Sequence, residues 1–263
     1  LAKLFGLRRS NLYYASKQKS KDAKFLVEIK KTMEANPSYG SPRIALALGV
    51  NHKRVERVMK ANQIKAFRRR RKHFKPDDLK QDETKYSNQL KNLCVVAPRA
   101  VYATDFTYID YQGKFLYLAT VIDVFSREIV GWDISDRHTA DMMKRALEMA
   151  FKEGVPVYLH SDQGSEMKSE IYTNLAESNG VKISMSQKAS PWQNGFQESF
   201  YSGFKLDLGD PNRFELKGEL IEAIIQNLNY YNNDRIHTSL KTSPSNYFKQ
   251  YEIKKTKLLK TGN

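Results

Sequence analysis

The sequence predicts an α/β chain in which a small all-α domain precedes a larger domain built on a mixed five-stranded sheet. Two changes of pattern along the 263 residues lead to this. Residues 22–64 carry apolar side chains at helical spacing. Residues 95–209 run through β-branched and aromatic stretches that alternate with amphipathic ones in the order β-β-β-α-β-α-β-α. Three strands in succession read as an antiparallel meander, and the later α-separated strands add parallel members.

Phe25, Leu26, Ile29 and Met33 fall on one helical face, and Pro37 ends that run. Ser41 offers an N-cap with Pro42 at the first helical position. A short helix follows from Arg43 to Leu48, Gly49 permits a sharp turn, and Asn51 caps a third helix with Val55, Val58 and Met59 on one side. Lys53, Arg54, Arg57 and Lys60 lie largely on its other surfaces. Helix, glycine turn and basic helix is the helix-turn-helix plan. A three-helix protein-binding module fits the same periodicity, and the basic third helix favours DNA. Residues 1–20 fit either the end of a helical DNA-binding segment or a basic tail. Residues 65–94 read as a basic arm and linker. Seven of the eleven residues from Lys65 to Lys75 are basic and none is acidic, with Arg68, Arg69, Arg70 and Arg71 flanked by Phe67 and Phe74.

In the larger domain, Ala103–Asp110, Lys114–Asp123 and Arg127–Ser135 read as strands, with a turn at Gln112-Gly113 and another at Phe125-Ser126. Thr139–Gly154 reads as a helix, Pro156–His160 as a short buried strand, Ser169–Asn179 as a helix, Val181–Met185 as the last strand, and Asn194–Leu208 as a further helix. Residues 210–250 hold a C-terminal helix with Leu220, Ile221, Ile224, Ile225, Leu228 and Tyr231 on its apolar face. Residues 251–263 read as a basic tail.

The formal net charge is +15 and the pI about 9.6. That excess favours polyanionic partners through attraction and counterion release. Cys94 is the only cysteine, so no intrachain disulfide or cysteine-based zinc site is possible, and a reducing cytoplasm fits. The longest apolar stretch, Phe115–Ile122, is too short to span a bilayer, so no membrane partner is expected. A chain opening on Leu1 without methionine is expected to be one part of a longer product.

Three acidic residues stand in distinctive surroundings. Asp105 interrupts the apolar first strand in Thr-Asp-Phe-Thr-Tyr, where a buried unpaired charge is costly. Asp162 follows the fourth strand in His-Ser-Asp-Gln-Gly-Ser. Glu198 lies in the first turns of a helix, in Gln-Asn-Gly-Phe-Gln-Glu-Ser-Phe, with 35 residues between it and Asp162. Cleavage of a phosphodiester with two cations needs carboxylates converging from separate segments to hold ions about 3.5–4 Å apart. Two strands and a helix meeting at one sheet edge supply them. Lys205, seven positions after Glu198, lies two turns along the same face, where a cation can hold a phosphate. Asp110, Asp123 and Asp133 are expected to be structural or exposed. Ser161 beside His160 lacks a glycine-flanked nucleophile elbow, no phosphate-binding Walker loop is present, and the histidines lack zinc-ligand spacing.

With these motifs the chain resembles the bacterial insertion-sequence transposases of the two-reading-frame type, whose catalytic region is similar to retroviral integrases, over roughly residues 22–250. Asp105, Asp162 and Glu198 match that family's three catalytic and metal-binding carboxylates. Tyr39-Gly40, Arg43-Ile44, the Ser-Met-Ser of residues 184–186, Tyr231-Asn232, Arg235, His237 and Pro244 match its usual pattern. Tyr102 stands where the family commonly has Trp, and Gln193-Asn194 where it has Asp-Asn. The resemblance implies a ribonuclease-H-like core and two Mg²⁺ or Mn²⁺ ions per site. It implies binding of double-stranded DNA through terminal inverted repeats, cleavage exposing a 3′-hydroxyl, and attack on target DNA. Lys205 would contact DNA ends. Lys53, Arg54, Arg57 and Arg68–Arg71 are the other expected DNA contacts. Joining two ends in synapsis implies at least a homodimer, acting at the bacterial nucleoid. The alternatives are a non-catalytic repressor that occupies DNA ends and a nuclease that cuts without joining.

Overall fold

The computed structural model describes residue 6 and residues 18–67, 85–90, 93–186 and 194–261. The expectations for most of residues 1–17, for Arg68–Arg71 and for Gln193 lie outside the described residues. The chain divides into two compact units, Leu1–Phe67 and Arg68–Asn263.

The first unit holds α1 (Gln18–Ala35), α2 (Ser41–Ala47) and α3 (His52–Ala61). α1 starts four residues before the expected domain boundary at residue 22. The α2 cap also differs from expectation: Gly40, in extended backbone, is the N-cap and Ser41 is already helical. Asn51 does cap α3, accepting from the Lys53 amide. Gly49 takes a φ of +62°, the left-handed conformation that a tight interhelical turn requires. Phe25, Ile29, Tyr39, Ile44, Val55 and Val58 fill the core.

The second unit is a five-stranded sheet in the order β3-β2-β1-β4-β5, formed by β1 (Val101–Tyr111), β2 (Lys114–Asp123), β3 (Ile129–Ser135), β4 (Tyr158–Ser161) and β5 (Lys182–Met185). β1 to β3 are antiparallel, whereas β4 and β5 run parallel to β1. The β1–β2 turn has positive φ at both Gln112 and Gly113, the twist-matched hairpin geometry.

On one face pack α4 (Ala140–Glu153), capped by Thr139, and α5 (Glu170–Ser178), capped by Ser169. Met142, Met143, Ala146 and Leu147 meet Tyr102, Ala119 and Val121 there. Tyr102 is fully buried and donates its hydroxyl to the Gly154 carbonyl at 2.9 Å, so this position pins the end of α4. β3 and α4 approach so closely at Gly131 that an added Cβ would stand 2.1 Å from the Ala146 carbonyl oxygen. Gly131→Ala is therefore expected to cost about 3 kcal/mol, the upper end for overpacking, because backbone must move. Denaturant unfolding checks this, and a change under 1 kcal/mol would contradict the close approach.

On the other face lie α6 (Gly195–Leu208) and α7 (Lys217–Asn233). Phe200, Phe204, Leu220, Ile224 and Leu228 cover Ile109, Leu116, Leu118 and Ile122. Asn232 locks α7 to the sheet by exchanging two hydrogen bonds of 2.9 Å with the Ile129 amide and carbonyl. Arg235 pairs with Asp207 at 2.8 Å, both side chains nearly inaccessible.

The expected tail at residues 251–263 is corrected. α8 runs from Pro244 to Thr261, since Tyr247 and Tyr251 pack on Phe125 and the helix continues beyond them. Among the described residues no helix is long and apolar enough to cross a membrane.

Candidate active site

β4 pairs with β1 at Val101↔Tyr158, Tyr102↔Leu159 and Ala103↔His160. Carried two residues further, the same register sets Asp105 beside Asp162, on neighbouring strands about 4.8 Å apart. β4 ends at Ser161 and its pairing with β1 ends at Ala103, so both carboxylates stand where this parallel ladder stops. The carboxyl ends of parallel strands are where α/β sheets place ligand sites. Asp162 Oδ1 accepts from the Gly164 amide at 2.9 Å, which fixes the turn after β4. Asp105 Oδ1 accepts from the Phe106 amide at 2.8 Å.

Glu198 is exposed in the first turn of α6, and its helix is gripped by the sheet through polar contacts. The fully buried Gln197 donates to the Ala103 carbonyl at 2.7 Å and the Thr120 carbonyl at 3.1 Å, and accepts from the Thr120 hydroxyl. One turn on, Tyr201 donates to the Asp105 carbonyl at 2.7 Å. Asn194 donates to the Thr104 carbonyl at 3.4 Å. Asn194 at the N-cap of α6 and Gln197 and Tyr201 within it form one stripe that holds the helix against β1 at Asp105. Apolar packing tolerates sliding, whereas directed hydrogen bonds in a dry interior fix register. Neither Gln197 nor Tyr201 was singled out from sequence, although Gln197 directly precedes Glu198 and Tyr201 follows it by three residues.

Burial pushes the Asp105 carboxyl up from 3.8 to about 7, the Asp162 charge adds to this, the Phe106 amide opposes it, and the Glu198 charge adds a smaller push. The three acids therefore share one field. Between roughly pH 4 and pH 7 the unfolded chain has released a proton that the cation-free fold retains. Stability in chelator is thus expected to fall as pH rises through that window and to level off above it. Asp105→Asn should abolish the slope and stabilise the cation-free fold at neutral pH. Denaturant titrations at stepped pH check this, and parallel profiles for the two proteins would contradict it.

Among the described residues, no three His, Cys, Asp or Glu side chains are gathered closely enough to enclose a metal as they stand. The donor set nevertheless suits a hard cation. It consists of carboxylate oxygens only, the exposed Asp162 and Glu198 are open to solvent, and Mg²⁺ takes one or two carboxylates with water and phosphate completing its shell.

Around these acids, His138 stacks on Phe106 with ring centroids 5.7 Å apart and reaches Glu166 at 2.6 Å, tying the segment after Asp105 to the loop after Asp162. No spacing pattern announced that pair. Asp123 is buried and accepts from Ser126 and the Arg99 amide, and Asp133 pairs with Arg145, so both are structural as expected. Asp110 is exposed. Lys205 sits over the Tyr108 ring, 4.7 Å from its centroid. In the helical unit Lys53 is exposed, whereas Arg57 pairs with Asp22 through contacts of 2.6 and 2.8 Å and Arg54 lies 4.2 Å from the Phe25 ring centroid. Those two arginines thus help hold α3 on α1.

An integrase core domain matches residues 96–191, a second integrase core model matches 179–244, and an HTH-like domain matches 19–72. The putative transposase InsK for insertion sequence element IS150 of Escherichia coli (strain K12) is 31% identical over 246 residues, covering 89% of this chain and 86% of that protein. The transposase for insertion sequence element IS904 of Lactococcus lactis subsp. lactis (strain IL1403) is 33% identical over 224 residues, 81% of this chain and 88% of that one. A simian T-cell lymphotropic virus intasome structure, in complex with PP2A regulatory subunit B56 gamma, contains a chain of similar fold. Its TM-score is 0.52 at 15% identity, over 84% of this chain and 74% of that one. Shared identity across nearly the whole chain, on an integrase-type core, means that the chain belongs to the insertion-sequence transposases with an integrase core domain.

Proposed function

We propose that Asp105, Asp162 and Glu198 are the catalytic carboxylates of this polynucleotidyl transferase, and that they hold two Mg²⁺ or Mn²⁺ ions where β1, β4 and α6 meet. The observation that carries the proposal is the β1–β4 register, which sets Asp105 beside Asp162, with Tyr201 fastening the Glu198 helix to the Asp105 carbonyl. When bound, the cations supply Lewis-acid stabilisation of the charge that develops on the phosphate oxygens. The protein contributes placement. Gln197 and Tyr201 keep Glu198 in register with β1, and the Gly164 turn leaves Asp162 exposed. Asp105 would hold a cation as the carboxylate, having lost its proton.

The DNA strand ends as a free 3′-hydroxyl when water attacks phosphorus and the bond to that 3′-oxygen breaks. In the joining step the same hydroxyl attacks a target phosphodiester and displaces its 3′-oxygen. The proposed substrates are the terminal inverted repeats of the element and target DNA, brought together by at least two copies of the chain.

Incubating the protein with labelled DNA from the element's own ends and Mg²⁺, then mapping nicks and joined products, tests this. Nicks at the element boundary followed by joined products are expected. Binding without nicks would favour an end-occupying repressor, and nicks without joining would favour a simple nuclease.

Lys53 and Arg68–Arg71 are proposed phosphate contacts. Replacing Arg68–Arg71 with alanine is expected to weaken DNA binding and lower the slope of log affinity against log salt by up to about 0.9 per lost contact. An unchanged slope would remove that arm from the interface.

A further inference from the structure

The outer half of the β1–β2 hairpin carries an unusual surface. β1 and β2 span 11 and 10 residues, roughly 35 Å, whereas the 14-residue α4 reaches only about 21 Å along the sheet. Beyond its reach, among the described residues, His138 covers Tyr117 and Phe106, and the outer part of that sheet face is left open. Alternate residues on the opposite face, Ile109 and Leu116, are buried under α6 and α7. On the open part a solvated strand would normally place polar side chains. Here stand Tyr108, 58% exposed, and Phe115, 51% exposed.

These rings continue inward as a chain of edge-on contacts. Tyr108 meets Phe115 at 5.1 Å, Phe115 meets Tyr117 at 6.4 Å, and Tyr117 meets Phe106 at 6.2 Å. Phe106 directly follows Asp105. Tyr108 is three residues past Asp105, about 10 Å along the strand, on the stretch of β1 that β4 does not pair with. Cations flank the outer rings. The Lys205 ammonium lies over Tyr108, Lys114 is exposed next to Phe115, and a cavity of about 270 Å³ opens between Tyr108, Lys205 and Asn212.

Exposed aromatic faces beside lysines are the means by which proteins hold unpaired nucleic-acid strands, with rings stacking on bases and ammonium groups meeting phosphates. A paired duplex keeps its base faces hidden within the stack. We propose that Tyr108 and Phe115 form a stacking platform for unpaired bases of the DNA strand adjoining the phosphate processed at Asp105, with Lys205 holding that strand's backbone. This rests on the reading of Asp105, Asp162 and Glu198 as the phosphoryl-transfer centre. It goes beyond that reading by assigning the site an unpaired, sequence-tolerant ligand.

The test uses the full chain in chelator, so that no chemistry is required. The probe is a duplex with a short oligothymidylate tail in which iododeoxyuridine replaces thymidine, irradiated with long-wavelength ultraviolet and mapped by mass spectrometry. Trypsin separates the two rings, since residues 100–114 carry Tyr108 and residues 115–127 carry Phe115. Adducts on Tyr108 and Phe115 are expected. Tyr108→Ala should weaken binding of the tailed duplex by roughly ten-fold, within the range for one stacked base, and leave the blunt duplex unaffected. Tyr108→Phe should bind as the parent does. Adducts confined to other peptides would overturn the proposal. So would equal weakening on blunt and tailed DNA, or self-association of the DNA-free protein that Tyr108→Ala abolishes, which would make the patch a contact between copies. Failure of the carboxylate assignment would instead show as Asp105→Asn cleaving normally, whatever the adduct pattern.

Discussion

Asp105→Asn is expected to reduce cleavage and strand transfer at least 1,000-fold, a loss of about 4 kcal/mol of transition-state stabilisation, while DNA-end binding stays within a few-fold. Asparagine keeps the shape and the oxygen that accepts from the Phe106 amide, so the fold has no reason to change. It removes the negative charge on which the proposed cation binding would depend. On the proposed reading a cation would relieve what lifts this acid to about 7, which is burial first, then the Asp162 charge and, less, the Glu198 charge. Asp162→Asn and Glu198→Gln should behave alike in activity, since the three carboxylates act as a unit and their losses do not add. Comparing nicking, joining and end binding on the same labelled DNA checks this. Wild-type rates in all three variants would sink the assignment of the centre. Because the same residue lowers the stability of the cation-free fold at neutral pH, Asp105→Asn should be inactive and more resistant to denaturant at once. Simple misfolding cannot produce that pair of results.

Arg235→Met is expected to destabilise the second unit by about 3–5 kcal/mol, because it removes the buried ion pair of the Asp207 carboxylate, whose side chain is 4% exposed. Arg235 also packs against Gly203, where an added Cβ would stand 2.7 Å from a guanidinium nitrogen, and lies over Tyr231. It therefore joins α6 to the end of α7. The double variant Arg235→Met with Asp207→Leu should recover much of the loss, since replacing both partners removes both buried charges. Denaturant midpoints for the two single variants and the double complete the cycle. An Arg235→Met change under about 1 kcal/mol would mean that Asp207 finds another partner or takes up a proton. The family motif around Tyr231, Asn232 and Arg235 is thus a docking device. It holds α7 on the sheet, and through the Arg235–Asp207 pair it supports α6, the helix that presents Glu198.

Strong periodicity made most of the fold legible. α4 and α5 fall within a residue of their expected bounds, because Thr139 and Ser169 cap them by side chain and glycine or asparagine ends them. The Gln112-Gly113 turn was legible for a similar local reason. The C-terminal segment misled because its second half is rich in lysine and looks solvated. Its helix packs Tyr247 and Tyr251 on Phe125, a contact 122 residues away from the nearer tyrosine in sequence. Arg54 and Arg57 read as a DNA-facing pair, and their engagement with Phe25 and Asp22 depends on how α1 crosses α3.

By itself the sequence determined the order of elements, the basic character of the chain and the three acids in their motifs, since each depends on neighbours a few residues away. Only the tertiary structure decided that Asp105 and Asp162 fall side by side, because strand register depends on how an entire sheet pairs. It alone decided that Gln197 and Tyr201 clamp the Glu198 helix to β1, since their partners are 77 to 96 residues distant in sequence. The exposure of Tyr108 and Phe115 on the hairpin likewise follows from the length of α4 relative to β1 and β2, a mismatch that exists only once helix and sheet are packed together.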